Sequence, residues 1–248
     1  MDPRSHPCSG PAGFVAWPAR SAASLPPVAA HLLSVNVGRV VDVPWGKLGR
    51  SGIDKRPVAG PVQVHRLGLE GDEIADTKHH GGPDQAVYAY AAEDLERWSE
   101  LAGRTFVAGQ FGENLTTRGL DVQDARLGER WAVGSTLLEV CDVRIPCAVF
   151  QGFVDEPRWV RRFAEHGVVG AYLRVVQEGV VQAGDPVRVV ERRDHDLTVG
   201  AAFRALTTDR ARLPSFQAEP RVSAKIARQI DEVRNHSSGA PRSDRPVG

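Results

Sequence analysis

The chain of 248 residues is poor in cysteine and lysine and has no formal net charge. Its three cysteines are Cys8, Cys141 and Cys147, and none belongs to a CxxC pair. Three scattered thiols are too few for a disulfide framework or a standard four-cysteine iron–sulfur cluster, and they favour a reducing, cytoplasmic setting. With 31 basic and 31 acidic residues, the chain lacks the cationic excess of a nucleic-acid-binding protein, so no nucleic-acid partner is expected.

Long apolar runs and common enzyme motifs are also missing. No apolar run approaches the roughly 20 residues of a membrane span, so no membrane insertion is expected. The sequence contains no GxxxxGK[ST] phosphate loop, no HExxH, no GxSxG and no GxGxxG after a strand. A nicotinamide or flavin site of the usual type is therefore not expected.

Composition divides the chain into four parts. Residues 1–30 are rich in Pro, Ala, Ser and Gly and are predicted to be a disordered extension, and residues 237–248 a disordered tail. Residues 31–194 contain many short β-patterned runs separated by Gly and Asp turns, which indicates a barrel or sandwich. Residues 195–236 are predicted to form a small three-helix domain.

The strand predictions follow from runs of β-branched and aromatic residues. Residues 33–43 are predicted to form one long strand with a bulge at Gly38. Shorter strands are predicted over Pro61–Val64, Ala86–Tyr90 and Leu137–Val143.

The helix predictions follow from periodic apolar residues and capping residues. One helix is predicted over Glu93–Ala102. Another is predicted to begin after an N-cap at Asp155, to end at His166, and to bury Trp159, Val160 and Phe163. In the C-terminal part, Thr198 and Ser223 are predicted caps, and residues 209–216 are predicted to form a helix between the two capped ones.

Cys147 follows the predicted strand Leu137–Val143 in the sequence Arg144-Ile145-Pro146-Cys147. Because Pro146 cannot continue a sheet ladder, Cys147 should lie on a loop at the strand end. Arg144 can lower the pKa of this thiol and hold an anion, and a thiolate is a ligand for a thiophilic metal. The alternative is a buried, inert cysteine, which is what most lone cysteines are.

Three further polar segments can form a binding pocket. The first contains Gly71-Asp72 and Lys78-His79-His80-Gly81-Gly82, where the glycines allow close backbone approach and a histidine can transfer a proton. Its alternative is a polar turn. The second, Phe111–Thr117, offers Glu113, Asn114 and Thr116, and the third, Ser51–Pro57, offers Lys55 and Arg56 for an anion. A capped turn and a solvated loop are the alternatives.

Taken in order, these segments resemble one known family. SGIDKRPVAGPV, LGLEGDEIADTKHHGGPDQAVYAY, FGENLTTRGL, VRIPC and GAYLRVVQEGVVQAGD are similar to the MOSC domain, specifically its YiiM-like branch. Residues after 195 resemble the three-helix domain that follows MOSC in that branch. Val143 and Ala148 depart from the family pattern, which usually has proline and often an aromatic residue there, and Ala148 is expected to reshape the pocket wall.

The resemblance implies a mainly β fold with helices: a closed, barrel-like MOSC domain followed by the small helical domain. It also implies a molybdenum–pyranopterin cofactor with Cys147 as the metal ligand. Lys55 and Arg144 would grip the cofactor phosphate, and His80 would donate a proton or contact the pterin. Asp72 is expected to be catalytic together with Cys147 and His80, and the further expected cofactor-binding residues are Gly81, Glu113, Asn114 and Thr116.

The implied activity is the two-electron reduction of N-hydroxylated substrates, such as hydroxylamino-purine-like bases, to amines. Electrons would come from a separate reductase or a ferredoxin. The alternative is a carrier of molybdenum cofactor or sulfur without reductase turnover, and a third is a binding module that has lost activity. The oligomeric state is left open, with a homodimer as one alternative.

Overall fold

The computed structural model describes residues 29–237, so the predicted disordered extension up to residue 28 and the tail from residue 238 lie outside it. The strands are β1 (His31–Val37), β2 (Val41–Asp42), β3 (Arg50–Ser51), β4 (Arg56–Pro57), β5 (Val62–His65), β6 (Gly68–Leu69), β7 (Val87–Ala91), β8 (Leu115–Arg118), β9 (Arg130–Val133), β10 (Thr136–Val143), β11 (Ala171–Gln177), β12 (Gly179–Val181) and β13 (Val187–Glu191). The helices are α1 (Ala92–Ala102), α2 (Ala148–Val154), α3 (Trp159–His166), α4 (Val199–Thr207) and α5 (Ala224–Ser237), with 3-10 segments at Pro83–Gln85 and Arg210–Ala218.

A mixed eight-stranded sheet in the order β13-β9-β10-β11-β7-β8-β1-β4 forms the centre of this α/β protein. Its neighbours are antiparallel except β7 and β8, which are parallel and are joined through α1. The predicted closed barrel is not confirmed, because β13 and β4 are the end strands. The start of β1 nevertheless reaches the turn before β13, through an isolated bridge between His31 and Pro186 and a 2.8 Å bond from the Leu32 N–H to the Asp185 carbonyl.

The prediction of one long first strand bulged at Gly38 is wrong. β1 ends at Val37, and its register shift lies between Leu32 and Ser34. Gly38 instead donates its N–H to Oδ1 of Asp72 at 2.8 Å, and an added Cβ at Gly38 would lie 2.5 Å from the Gly52 carbonyl oxygen. At the end of β1, the backbone N–H of Gly38 is therefore hydrogen-bonded to a side chain of another loop and not to a neighbouring strand.

The prediction that Asp155 is an N-cap is also wrong. Residues 148–154 already form α2, which the sequence analysis did not predict, and Asp155 ends that helix in a left-handed conformation with φ 55°. Its N–H donates to the Gln151 carbonyl at 3.0 Å. α3 then begins at Trp159, buries Trp159 and Phe163, leaves Val160 half-buried, and ends before Gly167.

The C-terminal residues form two α-helices separated by a 3-10 helix. Thr198 caps α4 by accepting the Ala201 N–H at 3.2 Å, and Ser223 accepts the Ile226 N–H at 3.1 Å at the start of α5, as predicted. The predicted middle helix is the 3-10 segment, which contains Pro214. Buried side chains of these helices, such as Phe203 and Ile226, belong to the same hydrophobic cluster as the sheet.

Candidate functional site

The four polar segments singled out in the sequence meet around one pocket of about 370 Å³. Its wall includes the β2–β3 hairpin, the loop after β3, residues 72–76 and 79–81, the segment that follows β10 and the start of α2. The predicted site residues that line it are Lys55, Asp72, His80, Gly81, Asn114, Arg144 and Cys147. Ala148, expected to shape the wall, lines it too.

Cys147 lies between the end of β10 and the first residue of α2, in extended conformation (φ −135°, ψ 170°). Its side chain is half-buried. Burial by itself disfavours the thiolate, but a hydrogen bond from His80, the charge of Arg144 and the Phe150 N–H outweigh burial and lower the pKa of Cys147 to about 6. Cys147 is therefore largely a thiolate at neutral pH, whereas the pKa of the fully buried Cys141 is raised well above its ordinary value by burial.

Arg144 supplies a buried positive charge next to Cys147. Its side chain lies over the rings of Tyr88 and Phe150, at 5.3 and 5.5 Å, and Nη1 donates to the Tyr172 hydroxyl at 3.3 Å. Within residues 29–237 no carboxylate forms an ion pair with it, and its Nε has no hydrogen-bond partner. Although burial acts to lower it, the pKa of Arg144 is raised, chiefly by the nearby tyrosines. A buried cation without a carboxylate partner favours an anionic ligand.

Lys55 differs from Arg144 because its charge is compensated. Nζ forms a buried ion pair with both carboxylate oxygens of Asp72. Oδ2 of Asp72 also accepts Nδ2 of Asn114 at 2.9 Å. Burial lowers the pKa of Lys55, and the charge of Asp72 opposes that change. Lys55, Asp72 and Asn114 thus form one connected polar group on the pocket wall.

Glu113 and Thr116 lie behind the pocket wall. The Glu113 carboxylate is fully buried and accepts the N–H groups of Gly109 at 2.6 Å and Phe111 at 3.0 Å. It also accepts the Thr116 hydroxyl at 2.9 Å. Burial raises the pKa of Glu113, although these hydrogen bonds oppose the change. The two residues hold the loop that presents Asn114 to the pocket.

His79 and His80 point to different partners, as their adjacency predicts. His79 pairs through Nδ1 with Asp76 at 2.9 Å. His80 is half-buried, lines the same pocket as Cys147 and helps to lower the pKa of that thiol. Gly81 follows with φ 81°, and an added Cβ there would lie 2.8 Å from Cδ1 of Ile74, so the turn requires glycine.

Tyr88, Tyr172 and the β2–β3 hairpin also line the pocket, and the sequence analysis did not select them. The hairpin contributes Lys47, Leu48 and Arg50, all exposed. It rests on α2 through Trp45, whose ring lies 6.3 Å from that of Phe153. An added Cβ at Gly152 would lie 2.7 Å from Cγ of Trp45, so the indole packs directly on the helix backbone. The isolated Lys47 was the one available signal, because lysine is rare in this chain.

Comparisons with known proteins agree with this architecture. A MOSC domain model matches residues 76–188. Protein YiiM of Escherichia coli is 35% identical over 173 residues, which are 68% of this chain and 76% of YiiM. The crystal structure of YiiM from Geobacillus stearothermophilus is 31% identical with a TM-score of 0.70, covering 82% of this chain and 98% of that one.

A third relative is longer. A protein of Gibberella moniliformis named reductase is 31% identical over 165 residues, which are 65% of this chain but 29% of the reductase. The sequence identities, the superposition and the family model point to the same assignment, and the chain belongs to the YiiM-like branch of the MOSC-domain family.

Proposed function

We propose that the chain binds a molybdenum–pyranopterin cofactor through Cys147 and reduces N-hydroxylated compounds to amines. The observation that carries the proposal is the pairing, in one pocket, of the Cys147 thiolate with the buried guanidinium of Arg144, which has no carboxylate partner among residues 29–237. The first offers a soft metal ligand, and the second attracts an anion.

The donor set fits such a cofactor. The described residues contain no group of three or more His, Cys, Asp or Glu side chains that could hold a metal ion. A metal held at Cys147 would therefore have to bring most of its ligands with it, as a metal carried by a pterin does. The Cys147 side chain is half-buried and lines the pocket, so it is accessible to such a ligand.

The cationic groups suggest how the anionic part of the cofactor would be held. Arg144 is the strongest candidate, because no carboxylate competes for it. Lys47 and Arg50 at the pocket mouth are further candidates. Lys55 is paired with Asp72, so we assign it to orienting Asp72 and Asn114 as well as to contacting the cofactor.

The cofactor would supply the electron pair. The overall change is R–NHOH + 2 e⁻ + 2 H⁺ → R–NH₂ + H₂O, so the N–O bond breaks and two protons are consumed. We assign proton delivery near Cys147 to His80, which lines the same pocket, and the Lys55–Asp72 pair is a second proton-bearing group on the wall. Glu113 and Thr116 support this wall, and Gly81 permits the close approach of the backbone.

The electrons must come from a second protein, a reductase or a ferredoxin, since the sequence has no dinucleotide fingerprint and no cluster-forming cysteines. The partial match to a longer protein named reductase is consistent with reduction that draws on further domains. The structure has no helix in the range 29–237 long and apolar enough to cross a membrane. We propose a cytoplasmic protein with a small-molecule substrate.

Two measurements test the proposal. Molybdenum per chain should be close to that of the native protein in Cys141→Ser and near zero in Cys147→Ser, because a hydroxyl is a poor substitute for a soft thiolate. Turnover of a hydroxylamino-purine with reduced viologen dye should follow the same order. Molybdenum binding without turnover would favour the carrier, and equal molybdenum in native protein and Cys147→Ser would contradict the ligand assignment.

A further inference from the structure

Asp84, four residues after His80, forms hydrogen bonds that link the segment carrying His80 to β10, β11 and α5. Oδ1 of Asp84 accepts Nε and Nη2 of Arg174, on β11, at 2.9 and 2.6 Å. Oδ2 accepts the N–H of Ala224, the first residue of α5, at 2.8 Å. The Asp84 carbonyl accepts Sγ of Cys141, on β10, at 3.2 Å.

The other backbone hydrogen bonds of this segment are local. The N–H groups of His79 and His80 donate to Asp76, and the N–H of Gln85 donates to Gly82. These bonds shape the turn but do not fix where it lies against β10 and β11. Gly81 and Gly82, both with positive φ, provide no side chain to anchor it. Beyond the pairing of β7 with β11 that begins at Val87, the contacts of Asp84 therefore tie this wall of the pocket to β10, β11 and α5.

The link also stabilises the helix. The first N–H groups of an α-helix have no partner within the helix. Ser223 satisfies the one at Ile226, and the Asp84 carboxylate satisfies the one at Ala224. A carboxylate at this position also interacts favourably with the positive end of the helix dipole. The same side chain thus serves the start of α5 and the turn that leads back to His80.

We infer that Asp84 is a positioning residue, through which the start of α5 and β11 hold the His80–Gly81–Gly82 wall of the pocket in place. The C-terminal helices are then part of what sets the distance between His80 and Cys147. The importance of this wall for cofactor binding rests on the proposed function. The contacts of Asp84 themselves involve neither molybdenum nor substrate.

Two variants of the full chain break the link from opposite sides. Asp84→Ala removes the carboxylate. Ala224→Pro removes the N–H that the carboxylate accepts, at the first position of a helix, where proline is well tolerated. Thr198→Ala is the matched control, because it deletes the cap of α4, and none of the hydrogen bonds described for residues 76–86 involves Thr198. Ala224→Pro and Thr198→Ala each remove about one helix-capping interaction, whereas Asp84→Ala also removes the ion pair with Arg174.

The first measurement is amide hydrogen exchange of the metal-free proteins. We expect exchange of residues 79–86 to become about ten-fold faster or more in Asp84→Ala and Ala224→Pro, as for the loss of a hydrogen bond to a charged group, and to stay unchanged in Thr198→Ala. The second is partial rescue by Asp84→Asn, which keeps one oxygen acceptor. Exchange of residues 79–86 in this variant should lie between that of the native protein and that of Asp84→Ala, and exchange as fast as in Asp84→Ala would contradict the role of the hydrogen bonds.

The outcomes are distinct. Unchanged exchange over 79–86 in both variants, or equal acceleration in Thr198→Ala, would overturn the inference. If Asp84→Ala accelerates exchange along the whole chain, the result for Ala224→Pro is used instead. Faster exchange of residues 79–86 in Ala224→Pro supports the link from Asp84 to α5, and unchanged exchange of these residues refutes it. Failure to find molybdenum in the native protein would refute the proposed function and leave this result standing.

Discussion

The acidity of the Cys147 thiol can be measured directly on the metal-free protein. With a pKa of about 6, the thiol is about 90% ionised at pH 7, against about 1% for a thiol with the ordinary value of 9.0 from which it is lowered. Because only the thiolate is alkylated, the rate of iodoacetamide labelling should rise with pH to a plateau with a midpoint near 6. Peptide mass spectrometry assigns the label to Cys147 and separates it from Cys8 and Cys141.

The causes of the shift can be tested in the same assay. His80→Ala removes a hydrogen bond to the thiolate and Arg144→Ala removes a positive charge, so each should raise the midpoint. His79→Ala is the matched control, because His79 pairs with Asp76 instead. Cys141 should stay unlabelled, since it is fully buried. A midpoint for Cys147 near the ordinary value of 9.0 would refute the reasoning about this pocket.

Three further predictions concern binding, stability and electrons. Arg144→Ala should weaken cofactor binding by about 1.5–3 kcal/mol, as for one charge-assisted contact. Lys55→Ala should weaken cofactor binding less, because Asp72 already compensates the charge of Lys55. Titration of the metal-free protein with cofactor measures both affinities, and equal affinities of the two variants would contradict the role of Arg144. Burial raises the pKa of Asp142, so ionising this carboxyl lowers the free energy of unfolding as the pH rises above the range of an ordinary aspartate. Asp142→Asn should therefore raise the unfolding temperature at pH 7 but not at pH 4. An equal change at both pH values would exclude ionisation as the cause. The purified protein should not turn over N-hydroxylated substrates with NADH or NADPH alone, but should do so with reduced viologen dye or a reductase; steady turnover on NADH alone would overturn the electron-donor argument.

The residues of the pocket were largely predictable, because each belongs to a short segment of unusual chemistry. Lys55, Asp72, His80, Arg144 and Cys147 come from three separate segments and line the same pocket. Their pairing was not predictable from the sequence. The ion pair of Lys55 with Asp72, and the lack of a carboxylate partner for Arg144 among residues 29–237, depend on distances that only the fold sets.

The missed elements have physical reasons. Tyr88 lies on β7, which is buried along its whole length, so no alternation of polar and apolar residues marks the side that faces the pocket. Tyr172, on β11, is likewise a buried aromatic residue among other buried residues. α2 has only seven residues with a glycine among them, and so short a helix owes its stability to packing, here of the buried Phe150 and Val154, rather than to local propensity.

The contact of Trp45 with Gly152 has a mechanical consequence. Since the indole lies against the backbone of α2 with no room for a methyl group between them, the hairpin cannot swing away from the pocket without either breaking this contact or carrying α2 with it. Cys147 immediately precedes α2, so in the second case the width of the entrance and the position of the sulfur change together. A bulky ligand that opens the entrance in this way would therefore also displace the sulfur of Cys147.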